Sequence, residues 1–140
     1  FMVGFPGETR AEFNEMRDLV RALRFDHLGV FKFSREEGTR AARMGPRISE
    51  RAAARRRADL MRTQQAIAFG KNAAMVGREM EVVIDRPASE GEGVWIARSR
   101  RQAPDVDSVT IVHSRTAQPG RFLRVRVTDS RGYDLTAVAV

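Results

Sequence analysis

Two unlike folds in series are predicted for these 140 residues: an α/β region over residues 1–77 and an all-β region over residues 78–140. Three observations carry the prediction. Two short apolar runs flank a capped amphipathic stretch, a long helical pattern follows, and beyond Arg78 the apolar period falls to two residues, with Gly, Pro, Asp and Ser between five short runs.

Phe1, Met2 and Val3 read as a strand, and Gly4-Phe5-Pro6-Gly7 as the turn that ends it. Thr9 and Glu12 have the spacing of a capping box, and Phe13, Met16, Val20 and Leu23 lay one apolar stripe along a helix reaching about Arg24. His27 to Phe33 has strand length and composition, so the order strand, helix, strand is a βαβ crossover. A parallel strand needs neighbours on both sides, and two strands make neither a barrel nor a doubly wound sheet. The chain is therefore expected to be the back part of something larger. Residues 34–47 read as a polar loop. From about Ser49 to Met75 the pattern is helical, weakened at Gly70. Leu60, Met61, Gln64, Ile67 and Ala68 share one face and arginines crowd the rest; the helix is expected to pack against the outside of the missing domain.

Five strands are expected near Glu79–Ile84, Gly93–Ala97, Ser108–His113, Phe122–Val127 and Tyr133–Val140, in a small closed antiparallel barrel that hides its edges. Alternation points Phe122 or Leu123, Val125 and Val127 inward and leaves the intervening arginines outside. The domain boundary is placed near Gly77.

Composition excludes several chemistries. The apolar fraction of 42% is that of a globular chain. No run approaches the roughly 18 apolar residues of a membrane span, and no signal peptide is apparent, so a cytoplasmic location with no membrane partner is expected. With no Cys, these residues offer no disulfide, cysteine nucleophile or thiolate-held zinc or iron–sulfur cluster. His27 and His113 do not suggest a metal pair. The net charge of +7 is uneven: residues 32–77 hold 11 basic and 4 acidic groups, whereas residues 78–140 hold 10 and 9. A basic stretch of this kind recruits phosphate-rich partners or is a solvated helix face.

Four segments resemble the radical S-adenosylmethionine methylthiotransferases. Val3-Gly4-Phe5-Pro6-Gly7-Glu8-Thr9 resembles the turn after a late strand of their barrel, and Phe31 to Ala41 their Phe-x-Tyr-Ser-x-Glu-Glu-Gly-Thr-x-Ala segment. Leu60-Met61-x-x-Gln64-Gln65-x-Ile67, with Asn72 and Val76-Gly77, resembles their linker helix, and the strand-rich end their TRAM domain. Glu36-Glu37-Gly38-Thr39, Ala97-Arg98-Ser99-Arg100 and Ala103-Pro104-Asp105-Val106-Asp107 favour the RimO-like branch, which modifies an aspartate of ribosomal protein S-twelve, over the tRNA-modifying MiaB-like branch. The family's cluster-binding cysteines have no counterpart here, Phe33 stands where Tyr is common, and Ser108 where Gly is frequent.

The resemblance implies a fold: the C-terminal part of a partial radical-SAM α/β barrel, a linker helix, and a five-stranded OB-like TRAM barrel. The parent enzyme would attach a methylthio group to an aspartate β-carbon with S-adenosylmethionine and two [4Fe–4S] clusters; this chain alone, lacking cluster ligands, is expected to be inactive. Met2, Val3 and Gly4 would face the cofactor, against the alternative of a turn that needs Gly4 and Gly7 only for their dihedral angles. Glu36, Glu37 and Thr39 would border the substrate entrance without being catalytic. Arg98, Arg100, Arg101 and Arg115 are candidates for substrate recognition, with ribosomal protein S-twelve or the small subunit as partner. Trp95, Phe122 and Tyr133 are possible stacking residues, although Trp95 and Phe122 are assigned first to the core. Two alternatives stay open: a MiaB-like enzyme whose TRAM domain grips tRNA, and a freestanding RNA- or ribosome-binding module.

Overall fold

The computed structural model describes residues 1–88 and 91–140. They form two compact units, Phe1–Ile67 and Ala68–Val140. Among the described residues no helix is long and apolar enough to cross a membrane.

In the first unit, β1 (Met2–Val3) and β2 (Phe31–Lys32) pair in parallel, Met2 opposite Phe31 and Val3 opposite Lys32, with α1 (Arg10–Leu23) between them in sequence. The βαβ order is as read. The capping box is present: the Thr9 hydroxyl accepts the Glu12 N–H at 3.2 Å, and the Glu12 carboxylate accepts the Thr9 N–H at 2.7 Å. That backbone bond, with the Thr9 hydroxyl, holds the Glu12 carboxyl below the usual carboxylate range. The helix stops at Arg24, whose backbone is left-handed with φ 50°.

Two elements differ from expectation. The strand sought over His27–Phe33 is reduced to two residues, because its partner is only that long: Gly4, at φ +79°, turns the chain out of β1. Residues 34–47 are not all loop, since the Thr39 hydroxyl accepts the Ala42 N–H at 3.1 Å and caps the short α2 (Arg40–Arg43).

The long helix α3 (Glu50–Ala73) starts at Ser49, whose hydroxyl accepts the Ala52 N–H. Its Leu60 and Ile67 join Val3, Phe13, Val20 and Val30 in one core. One face of α3 is thus covered by β1, α1 and the approach to β2. Gln64, 1% exposed in that apolar stripe, donates to the carbonyls of Phe25 and Asp26 at 2.9 and 3.3 Å, so its amide nitrogen is satisfied.

The second unit is a closed barrel of β3 (Glu79–Pro87), β4 (Val94–Ser99), β5 (Thr110–His113), β6 (Phe122–Arg131) and β7 (Asp134–Ala139), in the order β3-β4-β5-β7-β6. It is mixed rather than antiparallel: β5 and β7 run parallel, with Thr110 opposite Leu135 and His113 opposite Val138. The reason is geometric. Strand directions cannot alternate all the way round a ring with an odd number of members, so a closed five-stranded barrel contains at least one parallel pair.

Val82, Ile84, Ala97, Val112, Val125 and Ala137 fill the interior. Phe122 is corrected from core to surface: it is 70% exposed, because Val125 and Val127 point inward and strand alternation then places Leu123, not Phe122, on their side. Trp95 does pack against the core, its indole N–H donating to the Ser114 carbonyl at 3.0 Å. The last turn of α3 belongs to this unit. Asn72 donates its amide to the carbonyls of Gly132 and Tyr133 at 3.1 and 2.9 Å, and Phe69 meets the Tyr133 ring edge-on at 5.0 Å.

Candidate functional site

Two places in the molecule hold most of the residues singled out from the sequence as cofactor-facing or substrate-recognising. The first is the turn after β1. Met2 is 49% exposed, whereas Val3 is fully buried and its carbonyl accepts the Phe33 N–H at 2.9 Å. Gly4 donates its N–H to the Glu8 carboxylate at 2.9 Å, and a Cβ at Gly4 would lie 2.8 Å from the Cβ of Ala53 on α3. Glu8 is in turn ion-paired with Arg56, which also donates to the Glu8 carbonyl at 3.0 Å. Gly4 is therefore required both by its dihedral angle and by the approach of α3. Beside the turn lies a compartment of about 160 Å³ bordered by Gly4, Phe33, Ala42, Met44 and Ile48, with Arg35 and Arg47 among its lining. That is smaller than a typical small-molecule pocket.

The loop that follows β2 organises itself. Thr39 donates its hydroxyl to the Glu36 carbonyl at 2.8 Å while capping α2, and Ser34 donates to the Glu36 carboxylate at 3.2 Å. Glu37 is exposed.

The second place is an open groove of about 520 Å³ on the barrel, lined among others by Glu79, Glu81, Val83, Arg98, Arg100 and Phe122. Register explains it. Phe122 stands opposite Val83 on one side of β3 and Arg98 on the other, while Arg124 and Arg126 stand opposite Glu81 and Glu79. Arg126 donates to Glu79 at 2.8 Å and holds that carboxyl below the usual range. Arg98 donates to Asp85 at 3.0 Å. The groove is thus a mixed-charge surface with an exposed aromatic ring in its lining.

Arg101 also lines this groove, so Arg98, Arg100 and Arg101 come together there. Arg115 does not join them. It follows β5, whose His113 pairs with Val94 at the start of β4, so Arg115 lies at the other end of the barrel from the Arg100–Arg101 turn. The turn is held by a residue that sequence reading passed over, Gln102. Its buried side-chain carbonyl accepts from the Ser99 N–H, the Ser99 hydroxyl and the Thr110 hydroxyl at 2.9, 3.1 and 3.0 Å, and its amide donates to the Ser108 carbonyl at 2.8 Å. A Gln three residues after a strand-ending Ser was the available signal. The Ala103–Asp107 segment closes on itself, Asp107 accepting the Ala103 N–H at 2.7 Å, and leaves Val106 83% exposed.

Comparison with known proteins agrees with this architecture. Residues 76–140 match the TRAM domain. The chain is 43% identical to ribosomal protein uS12 methylthiotransferase RimO of Citrifermentans bemidjiense and 45% identical to that of Geotalea uraniireducens, each over 96% of its own length. It is 40% identical to that of Anaeromyxobacter sp. over 99% of its length. In each case it spans about 30% of the relative. Residues 76–140 thus carry a TRAM domain, in keeping with the closed barrel, and the chain is similar along nearly its whole length to proteins named ribosomal protein uS12 methylthiotransferase RimO.

Proposed function

We propose that the chain serves a methylthiotransferase acting on the β-carbon of an aspartate in ribosomal protein uS12, with residues 1–77 contributing to the cofactor-side domain and residues 78–140 to substrate recognition. The observation that carries this reading is the identity of 43% over 96% of the chain to a protein named for that activity. In such an enzyme, S-adenosylmethionine and two [4Fe–4S] clusters supply the radical and sulfur-transfer chemistry. With no Cys among its 140 residues, this chain does not fit a cluster, and we assign no step of the reaction to it. Its residues position groups. Exposed Met2 and the Gly4 turn backbone would form an apolar wall for the cofactor, Val3 anchors that wall in the core, and Glu8 fixes the Gly4 amide.

On the barrel, Arg98, Arg100 and Arg101 with Glu79, Glu81 and Phe122 offer both charge signs and a ring. A ribosomal protein carries basic and apolar groups together, and such a mixed surface suits it better than the uniformly basic face that phosphate neutralisation favours. The relatives named above carry the ribosomal-protein name, which favours uS12 over tRNA. The setting is the cytoplasm, where ribosomes are.

The test uses the whole protein of which these residues form part, loaded with its clusters and given uS12. Mass spectrometry should find one methylthio group on a single aspartate, and Phe122→Ala with Arg98→Ala should raise KM for uS12 while leaving reductive cleavage of S-adenosylmethionine intact. Modification of tRNA instead of uS12 would reject the reading. The 140-residue chain alone should show neither cleavage nor transfer.

A further inference from the structure

We propose that the groove between α1 and α3 in the first unit is a docking surface for the phosphodiester backbone of single-stranded RNA. The proposal is independent of the methylthiotransferase reading, because it concerns other residues and another ligand. The groove is open, about 480 Å³ in volume, and Arg10 and Arg17 on α1 face Arg55, Arg56 and Arg62 on α3 across it. Asp59 is the one acidic residue in its lining. Asp59 is already shared by Arg17 at 3.0 Å and Arg62 at 3.5 Å, and Arg56 is committed to Glu8. Arg10 and Arg55 have no ion-pair partner among the described residues, and the side chain of Arg62 is 70% exposed.

Three further features distinguish this surface from a merely solvated helix face. Phe13, 5% exposed, lies under the groove, with the Arg17 and Arg56 guanidinium carbons 6.0 and 5.7 Å from its ring centre, so two of the cations are ordered by a buried ring. The Arg17 Nε–H is buried with no hydrogen-bond partner, a donor that an incoming anion would satisfy. The arginines also repeat: Arg10 and Arg17 are seven residues apart on α1, and Arg55 and Arg62 seven apart on α3, roughly 10 Å along each helix axis. One small anion could reach only one end of such a pair of rows. A linear polyanion reaches both, and Arg presents the forked donors that phosphate accepts. An acidic peptide carries its charges on flexible side chains and would meet the rows less regularly.

The measurement is fluorescence anisotropy of labelled oligouridylate, about 20 nucleotides long, binding the 140-residue chain between about 50 and 200 mM salt. Log affinity should fall with log salt at a slope near −2, about −0.7 for each phosphate neutralised by Arg10, Arg55 and Arg62. Arg10→Glu with Arg55→Glu should cost at least about tenfold in affinity and flatten the slope by more than 1. Both side chains are exposed and unpaired, so an unchanged circular dichroism spectrum and melting curve are expected for the variant. Arg100→Glu, on the barrel, should leave the slope alone. The proposal fails if the double variant binds as before, if Arg100→Glu removes the slope instead, or if polyglutamate or phosphatidylserine vesicles bind as tightly as the RNA.

Discussion

The two units solve the same problem, a sheet edge, in opposite ways. The barrel returns β6 to β3 and leaves no open edge, so its hydrogen bonding is complete within 73 residues of chain. The first unit has two strands of two residues each; Phe31 and Phe33 donate to the carbonyls of Phe1 and Val3, which leaves the polar groups of Met2 facing away from β2. Its order comes from elsewhere: a core shared by α1 and α3, and the Gly4–Glu8–Arg56 brace that ties the turn to α3. Closure makes a unit tolerant of substitution at its surface. Dependence on a few tight contacts makes the other unit intolerant at those contacts.

Substitutions can break that comparison. Ile84→Ala opens a cavity in the closed barrel, where Ile84 is 1% exposed, and should cost about 2–5 kcal/mol in denaturant titration. A loss below about 1 kcal/mol would mean that the barrel is not a packed cooperative core. Gly4→Val adds a Cβ at 2.8 Å from Ala53 and forces a branched residue to φ +79°. It should cost about 2–4 kcal/mol, whereas the same change at Gly38, with nothing within 4 Å of its Cβ, should cost only the dihedral part. Equal losses at both would remove the brace from the account. Asn72→Ala leaves two carbonyls of the β6–β7 turn without a partner and should cost about 1–3 kcal/mol, with faster amide exchange at Gly132 and Tyr133. If exchange changes only around β1, the end of α3 is not part of the barrel unit.

The smallest effect is on pH. Arg126 lowers the pKa of Glu79 in the barrel, and Thr9 lowers that of Glu12 at the start of α1. A carboxyl whose pKa falls on folding contributes stability that is complete above its unfolded pKa and is lost as pH drops through the folded one. Both groups are open to solvent, so the acid limb of a melting-temperature profile should steepen only slightly below the ordinary carboxylate pKa. Glu79→Gln should flatten that limb; an unaltered profile would show that screening removes the effect.

Local signals carried far along the chain. A capping box, an apolar stripe and the alternation of Val125 and Val127 are properties of neighbouring residues, and α1, α3 and all five barrel strands lie close to where those signals put them. The order of α/β followed by all-β, and the TRAM domain, were legible for the same reason. The groove residues Arg98, Arg100 and Arg101 could be named, but their company could not. That Phe122 faces outward beside them depends on the parity of β6 against β3, and that Arg115 lies at the opposite end depends on the direction of β5.

Long-range partners account for the rest. The length of β2 was settled by the length of β1, the parallel β5–β7 pair by the need to close an odd ring, and the role of Gly4 by Ala53 on a helix 49 positions away. The arginines of α1 and α3 form one surface only because the fold lays the two helices side by side with Phe13 beneath them. Periodicity reports what a residue prefers within a turn or a strand; which distant atoms it meets is decided by packing and closure of the whole chain, which no window of neighbours contains.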